Sequence, residues 1–184
     1  FTPASYKEGV QSQLDDRPGF TVAAWQQRPE SLGFVNIKSN DPFEAPIIQP
    51  NYLEAEEDRK VLIAGMKLAR RLMRTEPLEP YFDFEQYPGD HIQTDDELLQ
   101  IARERGTTTF HVMGSCRMGP SSDPTSVVNE KLGVHGIDGL RVIDASIMPT
   151  MLSANLNAGA MMIGEKGADM ILGKPALEPI ITHE

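Results

Sequence analysis

The sequence has little cysteine: Cys116 is the single thiol among 184 residues. One thiol excludes an internal disulfide framework and any cysteine-rich metal site. It suits a reducing compartment, and the cytoplasm is the location expected here. Positive charge is also scarce, with 17 Lys and Arg against 27 Asp and Glu and a formal net charge of −10. That balance disfavours docking on a nucleic-acid backbone, so no nucleic-acid partner is expected. No apolar run reaches the roughly 18 residues that a bilayer span needs, and membrane association is not expected from this chain. His-Glu-x-x-His spacing is missing, as are a Gly-x-Ser-x-Gly nucleophile elbow and a Gly-rich phosphate loop after a strand. No metal is therefore expected. There is no initiator Met either; the chain starts Phe1-Thr-Pro and reads as a piece of a longer protein.

What is present is ordinary globular material, 40% hydrophobic and 24% charged, long enough for one domain with a core. Residues 1–19 read as an irregular lead-in, punctuated by Pro3, Gly9, Pro18 and Gly19. Strands are expected at 20–25, 33–37, 106–111 and 140–143, with a proline-bounded edge segment at 46–50 and a turn at 39–42. Residues 54–74 are the clearest helix. Val61, Leu62, Gly65, Leu68, Ala69, Leu72 and Met73 recur at helical spacing, acidic residues crowd the first turns and arginines the last. Thr94-Asp-Asp-Glu97 is a capping box opening a helix to about Arg105. A last helix is expected over 157–172, with Gly159, Gly164 and Gly167 inside it. Each glycine costs about 1 kcal/mol of propensity relative to alanine, a cost that close packing on a neighbour or ligand explains. The pattern is α+β without a βαβ series.

Three segments carry chemistry. His111 ends the 106–111 run and precedes a Gly-rich loop, a good position for an imidazole in a cleft. Taken alone, a histidine is more often a hydrogen-bonded structural residue. Asp144 follows the 140–143 strand beside the small Ala145; it can approach a ligand or cap a turn. Asn155 and Asn157 open the last helix, where they can act as caps or place a helix N-terminus, with its unpaired N–H groups and dipole, against a ligand. His91, His135 and His183 lie in Gly/Asp or tail surroundings and read as exposed.

Together these segments resemble the C-terminal region of the glucose–methanol–choline (GMC) oxidoreductases. The family pattern His-Pro-x-Gly-Thr-x-x-Met corresponds to His111-Val-Met-Gly-Ser-Cys-Arg-Met118. Val127-Val-Asn, Gly139-Leu-Arg-Val-Ile-Asp-Ala-Ser146 and Asn155-Leu-Asn-Ala158 follow in order, and Ser31-Leu-Gly-Phe-Val and Asn51-Tyr-Leu precede them. The resemblance runs from about residue 20 to 172, nearest to the choline dehydrogenase-like branch. Val112, Ser115 and Leu32 depart from the usual Pro, Thr and Arg.

The resemblance implies an antiparallel substrate-domain sheet flanked by helices over 20–110. It also implies an active-site segment over 111–172, whose last strand and helix return to a Rossmann-like FAD domain on a missing N-terminal part, and a tail over 173–184. It implies oxidation of an alcohol to a carbonyl by hydride transfer to flavin N5, with FAD as cofactor, a small alcohol as substrate, and the N-terminal FAD-binding part of the same protein as partner. His111 then matches the catalytic base and Asn155 the second catalytic position. Asp144, Ala145, Asn155, Asn157 and Ala158 are the implied cofactor contacts. Two alternatives remain open: a hydroxynitrile lyase-like member with structural FAD, and a catalytically silent fragment without cofactor.

Overall fold

Helix α1, Glu56–Met73, forms where the apolar spacing predicts it. Its first turn carries Glu56, Glu57 and Asp58 and its last turn Arg70 and Arg71, the charge order that a helix dipole favours. Helix α2, Asp95–Arg105, opens on the predicted capping box. Thr94 Oγ1 accepts from the Glu97 amide at 3.3 Å, and the Glu97 carboxylate accepts from the Thr94 amide at 2.9 Å. Strands β1, Phe34–Asn36, and β2, Ile47–Gln49, pair antiparallel, with Val35 opposite Ile48. The turn between them is held by Asp41, which accepts the Phe43 amide at 3.0 Å. Helix α3 spans Asn157–Ile171. The computed structural model describes residues 1–7, 13–175, 177–178 and 180; Gly9 of the expected lead-in, and Pro179 and His183 of the expected tail, lie outside them.

The chain divides into two compact units, Phe1–Thr108 and Thr109–Glu184. In the first, α1 and α2 pack on each other around Leu98, which is 0% exposed. Two polar joints fasten loops to α1. Asp58, 3% exposed, accepts from the Glu30 amide at 2.8 Å, the Ser31 amide at 2.9 Å, the Ser31 hydroxyl at 2.5 Å and the Gln26 amide group at 3.3 Å. Burial pushes its acidity toward the neutral form. The donors from Ser31, Glu30 and Gln26 outweigh that and hold the carboxyl below its ordinary value of 3.8. Arg70 grips Glu85 in a fork, with Nη2–Oε1 2.7 Å and Nε–Oε2 2.9 Å, and donates to the carbonyls of Ile92 at 2.6 Å and Gly89 at 3.1 Å.

The second unit gathers Val128, Leu132, Ile147, Met148, Leu156 and Ile163 into one apolar core. Around it run short hydrogen-bonded segments. The 114–118 stretch donates to the 145–147 stretch from Gly114, Cys116 and Met118, at 3.4, 2.9 and 2.8 Å. Single bridges join Met118 to Val128, Val128 to Val134, and Gly133 to Arg141. Arg117 Nη2 reaches Asp123 at 2.7 Å, and Asp123 also accepts the Thr125 amide at 2.9 Å, which closes the loop over residues 117–125.

Three expected strands are corrected. Among the described residues, 20–25 pair only at Thr21, with Thr2. This segment lies against α1 instead, so close that a β-carbon at Gly65 would stand 2.7 Å from that of Ala24. Residues 106–111 form no ladder, and Phe110, at φ 59°, turns the backbone out of the extended region. Among the described residues, 140–143 pair only at Arg141; Ile143 packs on α3, where a β-carbon at Gly167 would lie 2.3 Å from its Cγ2. In the first and third, apolar side chains pack on a helix instead, while Phe110 of the second stays 78% exposed; among the described residues no neighbouring strand completes a sheet at any of them. The architecture is α+β, with a two-stranded antiparallel sheet and three α-helices among the described residues. None of the described residues forms the expected Rossmann-like sheet.

Candidate active site

His111 and Asn155 both belong to the second unit, each within two residues of a side chain in or against its apolar core. His111 is half-buried, and Met113, two residues on, packs against the core. Phe110, just before it, holds a left-handed backbone at φ 59° while 78% exposed. A bulky residue in that region costs on the order of 1–3 kcal/mol, a strain that persists where the surrounding structure fixes the backbone. Asn155 is exposed and is followed by Leu156, only 4% exposed. Among the described residues, neither the His111 imidazole nor the Asn155 carboxamide has a hydrogen-bonding partner.

The start of α3 settles one of the readings of Asn155 and Asn157. The residue at the cap position is Leu156, with helical φ −77° and ψ −11°, and no side chain caps the helix. Asn155 lies one residue outside the cap and Asn157 is the first helical residue. The first intrahelical bond from this end is Ala160 N–H to the Leu156 carbonyl, at 2.8 Å. The N–H groups of Asn157, Ala158 and Gly159 are therefore left as donors at an exposed helix end.

Asp144 does cap a turn. It opens the 3-10 turn Ala145–Ile147 and accepts the Ser146 amide at 2.8 Å through Oδ1. Its side chain remains exposed, with Ala145 half-buried beside it. His135, expected exposed, is partly buried and donates from Nε2 to the Gly119 carbonyl at 3.1 Å, a structural use of the ring. His91 is exposed, and His183 lies outside the described residues. Among the described residues, no group of three His, Cys, Asp or Glu side chains is arranged to hold a metal ion.

The glycines of α3 divide by their surroundings. A β-carbon at Gly159 would sit 2.8 Å from Leu152 Cδ1 and 3.0 Å from Met148 Cε, and one at Gly167 would collide with Ile143. At Gly164, among the described residues, it would meet nothing within 4 Å. Close packing on a neighbour thus accounts for two of the three. Sequence reasoning passed over Met148, which reads as core filler; its contacts reach both site segments.

A sequence profile of the GMC oxidoreductases matches residues 29–164, most of the chain and all of the site segments up to the middle of α3. The chain belongs to the GMC oxidoreductase family. Among curated GMC relatives, the human mitochondrial choline dehydrogenase is 43% identical over 158 residues, covering 86% of this chain and 27% of the relative. The oxygen-dependent choline dehydrogenase of Staphylococcus xylosus is 40% identical over 162 residues, covering 88% of this chain and 29% of the relative. This chain therefore spans between a quarter and a third of the length of those relatives. Among solved structures, the pyridoxine 4-oxidase from Mesorbium loti superimposes with a TM-score of 0.72 at 29% identity, over 82% of this chain and 29% of that one. A formate oxidase superimposes with a TM-score of 0.69 at 32% identity, over 79% of this chain and 25% of that one.

Proposed function

We propose that this chain is the substrate-binding and active-site part of an FAD-dependent oxidoreductase that oxidises an alcohol CH–OH to a carbonyl. The observation that carries the reading is the uncapped first turn of α3. It presents three N–H donors and the positive end of a helix dipole beside Asn155, on the same apolar core that anchors the His111 loop. The membership of the GMC family and the names of the choline dehydrogenase relatives support the same chemistry.

The donor set suits a flavin. The amides of Asn157 and Ala158, with Asn155, would hold the electron-poor pyrimidine end, where negative charge is stabilised by a helix N-terminus. Asp144 keeps an exposed carboxylate oxygen beyond the one that accepts Ser146, suited to ribityl hydroxyls, and the small Ala145 leaves room for a pyrophosphate. Bound FAD would supply the hydride acceptor, its N5. His111 takes the hydroxyl proton of the substrate, which raises the electron density on the alcohol oxygen and makes its carbon a better hydride donor. Asn155 donates to that same oxygen and fixes the direction of the C–H bond. Residues 20–110 would form most of the substrate-binding part, 111–172 the active-site part and 173–184 the tail. The remainder of the flavin site would come from the N-terminal FAD-binding part of the same protein.

Choline is the first substrate to test, because the two curated relatives are named for it. The full-length protein is mixed anaerobically with choline, and then with a panel of primary alcohols, while flavin absorbance is followed. Bleaching of the oxidised flavin by any of them supports the reading. A protein that binds flavin and leaves it oxidised with every alcohol defeats it. We propose a reducing compartment, the cytoplasm on the reading of the single cysteine. The human relative is named mitochondrial, and fractionation of cells against both compartments decides between them. Among the described residues no helix is long and apolar enough to cross a membrane.

A further inference from the structure

Met148 touches both halves of the site. Its side chain is 5% exposed, and its Cε lies 3.0 Å from the place a β-carbon would take at Gly159, in the first turn of α3. Its carbonyl oxygen lies 3.4 Å from the corresponding place at Gly114, three residues after His111, where the backbone adopts φ +84°. Met148 also closes the 3-10 turn, its amide donating to the Ala145 carbonyl at 3.2 Å, and Ala145 in turn accepts from Gly114 at 3.4 Å. The His111 loop, Met148 and the Asn155 end of α3 are thus in consecutive contact. At Gly159 an added carbon would be crowded, and at Gly114 the backbone conformation, φ +84°, strains any side chain.

We propose that Met148 is a positioning residue that sets the spacing between the His111 loop and the Asn155 helix end. The proposal rests on the reading of His111 and Asn155 as the catalytic pair. A methionine suits this place because its unbranched, polarisable side chain fills an irregular gap between two elements, and a shift of about 1 Å between two groups that hold one substrate is enough to slow the reaction on the order of a hundredfold.

The test is a relief cycle in the full-length protein. Gly159→Ala inserts a methyl against both Leu152 Cδ1 and Met148 Cε; Leu152→Ala removes the first obstruction and Met148→Ala the second, and each is combined with Gly159→Ala. Hydrogen exchange at the Gly114 and Cys116 amides is the primary readout, because it does not depend on turnover. The expected result is exchange about tenfold faster at both amides in Gly159→Ala, returning to within twofold of wild type when Met148→Ala is added and not when Leu152→Ala is added. Anaerobic flavin reduction by choline is expected to follow the same pattern, with kcat lowered about tenfold at little-changed KM and then recovered. Gly164→Ala, which meets open space, leaves both readouts unchanged, and Met148→Leu gives a milder version should Met148→Ala fail to fold. Exchange that accelerates only within α3, a Gly159→Ala/Met148→Ala variant no better than Gly159→Ala, or equal relief by Leu152→Ala overturns the proposal. If wild-type flavin is not reduced by any alcohol, the functional reading falls, while the exchange pattern still decides the coupling.

Discussion

The two units of this chain are held together by different means. In the first, loops are fastened to α1 by buried polar joints: Asp58 with its four donors, and Arg70 with Glu85 and two carbonyls. In the second, an apolar core of six buried residues carries segments too short to count as strands, and the candidate catalytic residues project from beside it. Polar joints depend on protonation and on complete partner sets; an apolar core depends on volume. The candidate site is built on the second kind, whose shape is fixed by packing and which leaves the His111 and Asn155 side chains without hydrogen-bonding partners among the described residues.

Native-state hydrogen exchange reads each unit by itself and can break the comparison. The largest effects are expected from removing one member of each scaffold. Arg70→Ala leaves Glu85 with only its long ion pair to Arg74, at 3.7 Å, and two carbonyls without their donor, and should lower the local stability of α1 and the 85–92 loop by about 3 kcal/mol. Leu156→Ala opens a cavity beside Asn155 and should lower the stability of the second unit by about 3 kcal/mol. A sharper contrast comes next. Asp58→Ala strands buried donors and should cost the first unit about 2 kcal/mol near neutral pH. Because the folded carboxyl titrates below its ordinary value of 3.8, its contribution is fully present above that value. It is lost as pH falls through the lower folded value. Protection around residues 26–31 should therefore weaken on acidification below about pH 4 in the wild type and not in Asp58→Asn, while the Val128–Ile163 core shows no matching step. The smallest effect is a gain: Gly164→Ala should stabilise α3 by about 0.5–1 kcal/mol, since alanine suits a helix better and the added carbon meets open space. Protection that responds to pH alike in both units would erase the distinction.

This difference also explains what was legible beforehand. The helices α1, α2 and α3 follow from local signals: apolar spacing, the Thr94–Glu97 box and charge order. The turn at 39–42 follows from Asp41 and Pro42. Residues 106–111 and 140–143 are rich in strand-forming side chains, yet a strand needs a partner, and the partner is set by contacts distant in sequence. The left-handed turn at Phe110 leaves no trace in residue type; an aromatic there suggests extended backbone. Within the site, motif order singled out His111, Asp144, Asn155 and Asn157. The shift of the cap to Leu156, which frees Asn155 from a structural duty, emerges only from the folded helix end. Met148 was hidden because a buried methionine is ordinary; what distinguishes it is contact with two glycine-lined segments at once.

The most direct measurement is the rate of anaerobic flavin reduction by choline, or by whichever alcohol reduces the wild type, in full-length His111→Ala. As a proton acceptor His111 should supply about a hundredfold to ten-thousandfold of the rate, so the reduction rate should fall by that factor while flavin content and thermal stability stay at wild-type levels. A variant that still reduces its flavin at close to the wild-type rate would contradict the assignment of His111 as the base, and with it the central role given to this loop.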